Sequence, residues 1–327
     1  MMRIKYLCRT IFRMITLLIG VSVLSFVLIY NSPIDPLTAY VGTESTLSQE
    51  VKDEIAEHWK LNDSPIERFT AWGNNLIHGD LGTSITYKQP VSRVIYERFK
   101  YSFVLMITAW LFSGIIGFIA GIFSGVYKGS LFDKAVKLIC LIFQSSPTFW
   151  VGLIMLSIFA VYLGWFPIGM AAPMGKLAAD VTMSDRIYHI ILPAITLSVL
   201  CSAKIILFTR QKIIEILSSD FILYARARGE NMFQIIMRHG IRNAALPAIT
   251  EQFASFSELF GGIALAETVF SYPGIGTATT AAGLKGDVPL LLGIALFSTV
   301  FVFAGNLIAN VLYGILDPRI REEGYDA

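Results

Sequence analysis

The residues able to do chemistry in an apolar setting gather in one stretch. Glu251, Gln252, Ser255, Ser257 and Glu258, followed by Gly261 and Gly262, interrupt an otherwise apolar run. Carboxylates inside a membrane span usually face a bundle interior or a water-filled cavity. Glu251 and Glu258 stand seven residues apart, which puts them on one face of a continuous helix. The reading is a translocation path lined by Glu251, Ser255, Glu258, Gly261 and Gly262, with an ion pair between Glu251 and Lys204 as the structural alternative. Glu267 lies near the far end of the run, before the turn Ser271-Tyr-Pro-Gly-Ile-Gly276. There Pro273, Gly274 and Gly276 set the bend, and Glu267 either lies at the interface or holds that turn.

Nothing is spaced for covalent or metal chemistry. None of the four histidines belongs to an HExxH pattern. Cys8, Cys140 and Cys201 have no redox or metal spacing and read as small apolar packers. Gly175-Lys176-Leu177 lacks both the upstream glycine and the Ser/Thr of a phosphate-binding loop. The expectation is no catalytic residue, no metal site and no nucleotide hydrolysis by this chain.

A second stretch, Asp220 to Pro247, is basic and helix-compatible and lies between two apolar runs. Arg226, Arg228, Arg238 and Arg242 stand against Asp220 and Glu230. Apolar residues recur at Ile235, Ile236, Ile241 and Leu246, with Gly229, Gly240 and Pro247 as punctuation. A connection between spans rarely needs this length. Juxtamembrane arginines alone would fit lipid headgroups. Added to an apolar helical face, they fit a helix that docks into a partner's groove. Gly229 has the backbone freedom to end one helix and start the next at an angle.

The elements that position these stretches follow from composition. The 327 residues are 54% hydrophobic and 15% charged, with mean hydropathy +0.62; soluble domains carry about 25% charged residues. The fold class is an all-α polytopic membrane protein. The first span, Met14 to Tyr30, follows Arg3, Lys5, Arg9 and Arg13 and reads as uncleaved, because Asn-Ser-Pro-Ile-Asp-Pro stands where a cleavage site would be. Five further runs are long enough for spans of about 20 residues: Tyr101–Tyr127, Ala135–Trp165, His189–Thr209, Pro247–Val269 and Pro289–Leu316. Gly114, Gly117, Gly121 and Gly125 suit close helix packing, and Ser145-Ser-Pro147 predicts a kink in the third run.

Residues 31–100 read as a small helical subdomain outside the bilayer. Thr46-Leu-Ser-Gln49 fits a capping box ahead of a face formed by Leu47, Val51, Ile55 and Trp59. Ser64-Pro-Ile-Glu67 starts a second helix, with Ile66, Phe69, Leu76 and Ile77 as its buried side. His78 to Ser84 reads as a turn. The domains are thus 1–30, the subdomain 31–100, a five-helix core 101–316 containing the loop 210–246, and a tail 317–327.

Six spans return both termini to one side. That side carries Arg3, Lys5, Arg9, Arg13, Lys128, Lys134, Lys137, Arg210, Lys212, Arg226, Arg228, Arg238, Arg242, Arg319 and Arg321, against Lys176, Arg186 and Lys285 opposite. Both termini and the 210–246 loop are expected to be cytoplasmic.

At this point the motifs resemble a family: permease subunits of ATP-binding-cassette importers, in the dipeptide/oligopeptide/nickel branch. Ala225-Arg-Ala-Arg-Gly229, nine residues, then His239-x-x-Arg242-Asn243-x-x-x-Pro247 is similar to that branch's coupling loop. The general glutamate of the loop is absent, with Leu223 at its place, as is common in the peptide branch. Gly79-Asp-Leu-Gly-Thr-Ser84, Pro147-x-Phe149-Trp150, Leu192-Pro193-Ala194, Glu267 to Gly276, and Leu316-Asp-Pro-Arg319 extend the resemblance over nearly the whole chain.

The resemblance implies six spans and a coupling helix made of Tyr224, Ala225, Arg226, Ala227, Arg228, Gly229, His239, Arg242, Asn243 and Pro247. It implies four kinds of partner: a second homologous permease chain, two ABC ATPase subunits holding the ATP and Mg, an extracytoplasmic solute-binding protein, and membrane lipid. Nucleic acid is not among them. The location implied is a prokaryotic plasma (inner) membrane. Cargo is a peptide or a nickel or other metal chelate, and Ser257-Glu-Leu-Phe-Gly-Gly262 resembles nickel-type members. Two other classes compete. A stand-alone secondary transporter would show an internal inverted repeat, and an intramembrane enzyme would show paired catalytic groups; neither is visible.

Overall fold

The computed structural model describes residues 2–31, 63–177 and 179–316. Among them the regular structure is helical, with one isolated backbone bridge between Thr83 and Pro90 and no strand. The Thr46–Gln49 capping box with its helix, the tail 317–327 and most of the Leu316–Arg319 motif lie outside the described residues.

Each apolar run forms helix. α1 covers Met2–Tyr30 and α2 Pro65–Ile77. α3 is Val91–Val126 and α4 Leu131–Ser145. α5, Thr148–Met155, continues as a π-helical stretch over Leu156–Tyr162. α6 is Met183–Leu217 and α7 Asp220–Ala227. α8, Met232–Ile235, passes through a π-helical turn, Ile236–Gly240, into α9, Ile241–Ala254. α10 is Phe256–Val269, α11 Ile275–Leu284 and α12 Val288–Leu316.

By length and apolarity alone, Val91–Val126, Met183–Leu217 and Val288–Ala309 each suffice to cross a membrane. The third run breaks at Ser146-Pro147, as the proline predicts, and its halves are bent by 116°. The fifth run departs from expectation. It starts before Pro247, which sits inside α9, and it breaks at Ser255. There the Ser255 hydroxyl donates to the Gln252 carbonyl at 2.8 Å, a local bond that competes with the helix ladder.

The chain divides into two compact units, residues 1–101 with 273–304 and residues 102–272 with 305–327. The first is built on Val91, Val94 and Ile95 of α3, Ile275, Ala278 and Ala282 of α11, and Leu290 and Ile294 of α12. Asp287, fully buried, organises it. Its carboxylate accepts from the Ser84 hydroxyl at 2.6 Å and the Thr86 amide at 2.8 Å, and from the Leu290 amide at the start of α12. α2 begins as predicted, with Ser64 and Glu67 capping reciprocally and Pro65 at the first position. The Ser64 hydroxyl, then its amide, hold the Glu67 carboxyl below its usual value. The cap is therefore strongest above that value and is lost as pH falls through the lowered one. The buried side of α2 differs from expectation. Ile66 and Ile77 are 76% and 84% exposed, and Phe69, Trp72, Gly73, Leu76 and Ile77 line an apolar cavity of ≈ 790 Å³ with parts of α1, α3 and α12. Of the residues expected on the buried side, Ile66 is absent from this lining, and Trp72 and Gly73 join it.

In the second unit α3 lies against α6 along a glycine seam. A Cβ on Gly117, Gly121 or Gly125 would stand 2.6–2.7 Å from the Cβ of Ile205, Thr209 or Ile213, so only glycine permits this approach. Gly114 instead faces Gln252 of α9. Gln252 donates to the Trp110 carbonyl, and the Trp110 indole donates back to the Gln252 carbonyl at 3.0 Å. Asp133, fully buried at the start of α4, locks the seam. Arg210 of α6 grips its carboxylate with Nε at 2.5 Å and Nη2 at 2.8 Å. The Ser124 hydroxyl and the Gly129 amide complete its partners at 2.7 and 2.8 Å.

Removing one half of a buried ion pair strands the other charge. Asp133→Ala is expected to cost about 3–5 kcal/mol and Ser124→Ala about 1 kcal/mol, read as loss of thermal stability of the detergent-purified protein. Equal effects would show that Arg210 is not held by Asp133.

Candidate functional site

Two places carry most of the residues singled out in the sequence, and both lie in the second unit. The basic stretch is not a loose loop. Ser219 precedes α7, and α7 ends in a Schellman turn. The Gly229 amide donates to the Arg226 carbonyl at 2.9 Å, and the Glu230 amide to the Ala225 carbonyl at 3.2 Å. Gly229 has φ +87°, and no atom lies within 4 Å of where its Cβ would stand. The requirement for glycine here is conformational and not steric.

Asn231 then caps the next helix, with Gln234 returning the bond. From Met232 the backbone stays helical through the π turn to Ala254. Only Glu230 and Asn231 separate the turn at Gly229 from the helix that runs on into α9. Glu230, largely buried, faces the Arg238 guanidinium, Nη1 at 3.6 Å, and the His239 imidazole, Nε2 at 3.3 Å. The Asn243 amide donates to the His239 carbonyl at 2.7 Å.

The apolar face predicted to enter a partner is used at home. Ile235 and Ile236 pack with Ile222, Ala225, Ala244, Ile213 and Ile216 in one cluster, flanked by Ile241 and the end of α3. Leu246 is half-buried. What remains outside is another set: Phe221, Leu223, Tyr224, Met232, Phe233 and Met237 are exposed, and Arg226, Ala227, Arg228, Arg238 and Arg242 share that surface. The Arg228 guanidinium lies 6.0 Å from the Tyr224 ring centroid. Aromatic residues, methionine and arginine are the types enriched where proteins dock.

The polar stretch of the fifth run sorts itself around the break at Ser255. Ser255 is buried against Gln252, and Gly262 packs near Thr148 and Leu197. Glu258 and Gly261 are exposed, and Glu251 is half-buried in the other helix. The five therefore do not share one lining face, because the shared-face reading needed an unbroken helix. Lys204 pairs with Glu258, both carboxylate oxygens at 2.6 Å, rather than with Glu251. Ser257 donates to Asn306 of α12 at 2.5 Å. Glu267 is fully buried, and its carbonyl closes the turn by accepting from the Tyr272 amide at 2.8 Å. Ser271 takes φ +48° there. In the first unit, the Pro273 carbonyl faces Arg98, and Gly274 precedes α11, which contains Gly276. No group of three or more metal-ligating side chains occurs among the described residues.

Residues 117–322 match the family described as "Binding-protein-dependent transport system inner membrane component". The chain belongs to this family. It is 34% identical over 317 residues to the oligopeptide transport system permease protein AppB of Bacillus subtilis (strain 168), covering 97% of this chain and 99% of that protein. The di/tripeptide transport system permease protein DppB of Pseudomonas aeruginosa is 32% identical, covering 98% of this chain and 99% of that one. Among solved structures, an inward-facing form of the MetNI methionine ABC transporter shares the fold. Its TM-score is 0.54 at 15% identity, over 69% of this chain and 97% of that one. The protein is a permease subunit of an ABC importer, an inner-membrane component.

Sequence reasoning missed Asp133 and Asp287 as buried anchors, and Lys204 as the partner of Glu258. Each had a signal: an aspartate three residues after Ser130 at a helix start, an aspartate just before Val288-Pro289, and a lone lysine inside an apolar run.

The Gly229 turn yields a graded test. Alanine must adopt a left-handed backbone at about 1–2 kcal/mol, a conformation asparagine tolerates. ATP-driven uptake by the assembled transporter should fall in Gly229→Ala, fall further in Gly229→Pro, and stay near wild type in Gly229→Asn, with equal amounts of protein in the membrane. Normal uptake by the proline variant would contradict a role for this turn.

Proposed function

We propose that this permease carries peptides inward, driven by ATPase subunits that engage the exposed face of α7 and α8. The observation that carries the reading is the short, capped join from the Gly229 turn into the helix that runs on through α9. A displacement applied at Leu223, Tyr224 or Arg228 reaches that helix through a turn held by the Gly229 and Glu230 amides and the Asn231 cap. The residues of the proposed coupling surface are Tyr224, Arg226, Ala227, Arg228 and Gly229, with Ala225 anchoring it from beneath. His239, Arg242, Asn243 and Pro247 belong to the helix that receives the motion.

The peptide-transport names of the relatives, matched over nearly the full chain, support peptides as cargo. The excess of basic residues near α7 supports a cytoplasmic position for this surface and for both termini. A second homologous permease, two ATPases with ATP and Mg, and an extracytoplasmic solute-binding protein delivering cargo near residues 31–100 complete the assembly, in a lipid bilayer. The path is assigned to the exposed side of α10 around Glu258 and Gly261. Closure of the ATPase pair would move α7 and reorient the spans, so no residue of this chain needs to form a covalent bond.

The test is uptake in cells lacking this chain, with radiolabelled di- and oligopeptides against radiolabelled nickel, with and without histidine. Loss of peptide uptake alone is expected. Loss of nickel uptake alone would make the cargo a metal chelate. Unchanged uptake on loss of the ATPases would make the chain a stand-alone secondary transporter.

A further inference from the structure

The exposed residues of α10 are Glu258, Gly261, Leu265 and Thr268, a single stripe at helical spacing. Those of α6 follow a complementary pattern. From His189 to Ala203 no residue is exposed, and Lys204 then opens a stripe that continues through Phe208, Gln211 and Glu215. The two helices run antiparallel, since Glu258 meets Lys204 while Gly262 lies near Leu197, further toward the start of α6. The two stripes meet at one point, with that of α10 leading one way and that of α6 the other. The Lys204–Glu258 pair sits at their junction.

That pair is unusual in its exposure. Lys204 and Glu258 side chains are 46% and 62% exposed, although both belong to apolar runs. Charges at such depth avoid lipid and face water-filled or protein-lined space. An ion pair this exposed opens at little cost when something replaces both partners at once. A zwitterion does so: its ammonium takes the carboxylate and its carboxylate takes the ammonium. Next along the α10 stripe, Gly261 has no atom within 4 Å of a Cβ position, which leaves room for side chains of varied size. The Ser257–Asn306 hydrogen bond adds a polar edge at 2.5 Å.

We propose that Lys204 and Glu258 form a charge-exchange station for zwitterionic cargo. Glu258 receives the free ammonium and Lys204 the free carboxylate, each released as the pair re-forms behind the cargo. This deepens the peptide reading above and rests on it.

The test uses the complete transporter in proteoliposomes, with dialanine, N-acetyl-dialanine and dialanine amide at saturating concentration. Losing one charged hydrogen bond corresponds to roughly tenfold to hundredfold. Glu258→Gln should slow dialanine by roughly tenfold or more while sparing the N-acetyl peptide. Lys204→Met should do the same while sparing the amide. The double variant leaves no stranded charge, so it should assemble normally and lose both preferences. A double variant with wild-type dialanine rate and preferences would reduce the pair to a structural contact and overturn the proposal. Peptide uptake with preferences unchanged in the single variants would overturn it alone. No peptide uptake by the wild type would overturn the peptide reading and this proposal together.

Discussion

The second unit depends on one buried carboxylate. Asp133 collects a bidentate arginine from α6, a hydroxyl from α3 and an amide from the turn between α3 and α4. A charge so placed is tolerable only when every lone pair is satisfied. Satisfying it fixes the end of α3 and the start of α4 against α6. The glycine seam works beside it by letting α3 approach α6 closely over Gly117, Gly121 and Gly125. With α6 held, its continuation to Leu217 offers Ile213 and Ile216 as the floor on which α7 rests. The proposed coupling surface is therefore mounted on the most firmly anchored helix of the unit.

The same economy explains why the loop's apolar residues turn inward. A short helix such as α7 has little stability of its own, and Ile222 and Ala225 gain it by packing on α6 and on Ile235 and Ile236. What is left for a partner is the opposite face, where aromatic, methionine and arginine side chains stand in the open. Rigidity beneath and adhesive residues above are what a surface needs if it is to be pushed.

Much of this was legible in the sequence. Ser64-Pro-Ile-Glu67 fixed the start of α2, Ser145-Ser-Pro147 fixed the break in the third run, and Gly229 marked a helix end, because caps, prolines and left-handed turns are local effects. The family resemblance carried by the 225–247 motif agreed with the relatives. The errors arose where the answer depended on a distant residue. Whether Glu251 or Glu258 meets Lys204 is decided by the break at Ser255, which a serine inside an apolar run hardly announces. Ile66 looks as buriable as Phe69 until the other walls of the cavity are known. Ile235 and Ile236 were read correctly as apolar face but assigned to a partner, since periodicity gives a face and not what covers it.

The central claim is that the outward face of α7 and α8 receives the ATPase. A photoreactive residue placed at Leu223, compared with one at Lys285, tests it directly in intact membranes. Both positions are exposed, and the expected topology puts them on opposite sides. The account predicts that the probe at Leu223 captures the ATPase subunit and the probe at Lys285 does not. Capture of the ATPase from Lys285, or labelling of a cysteine at Leu223 by a membrane-impermeant reagent added from outside, would contradict it.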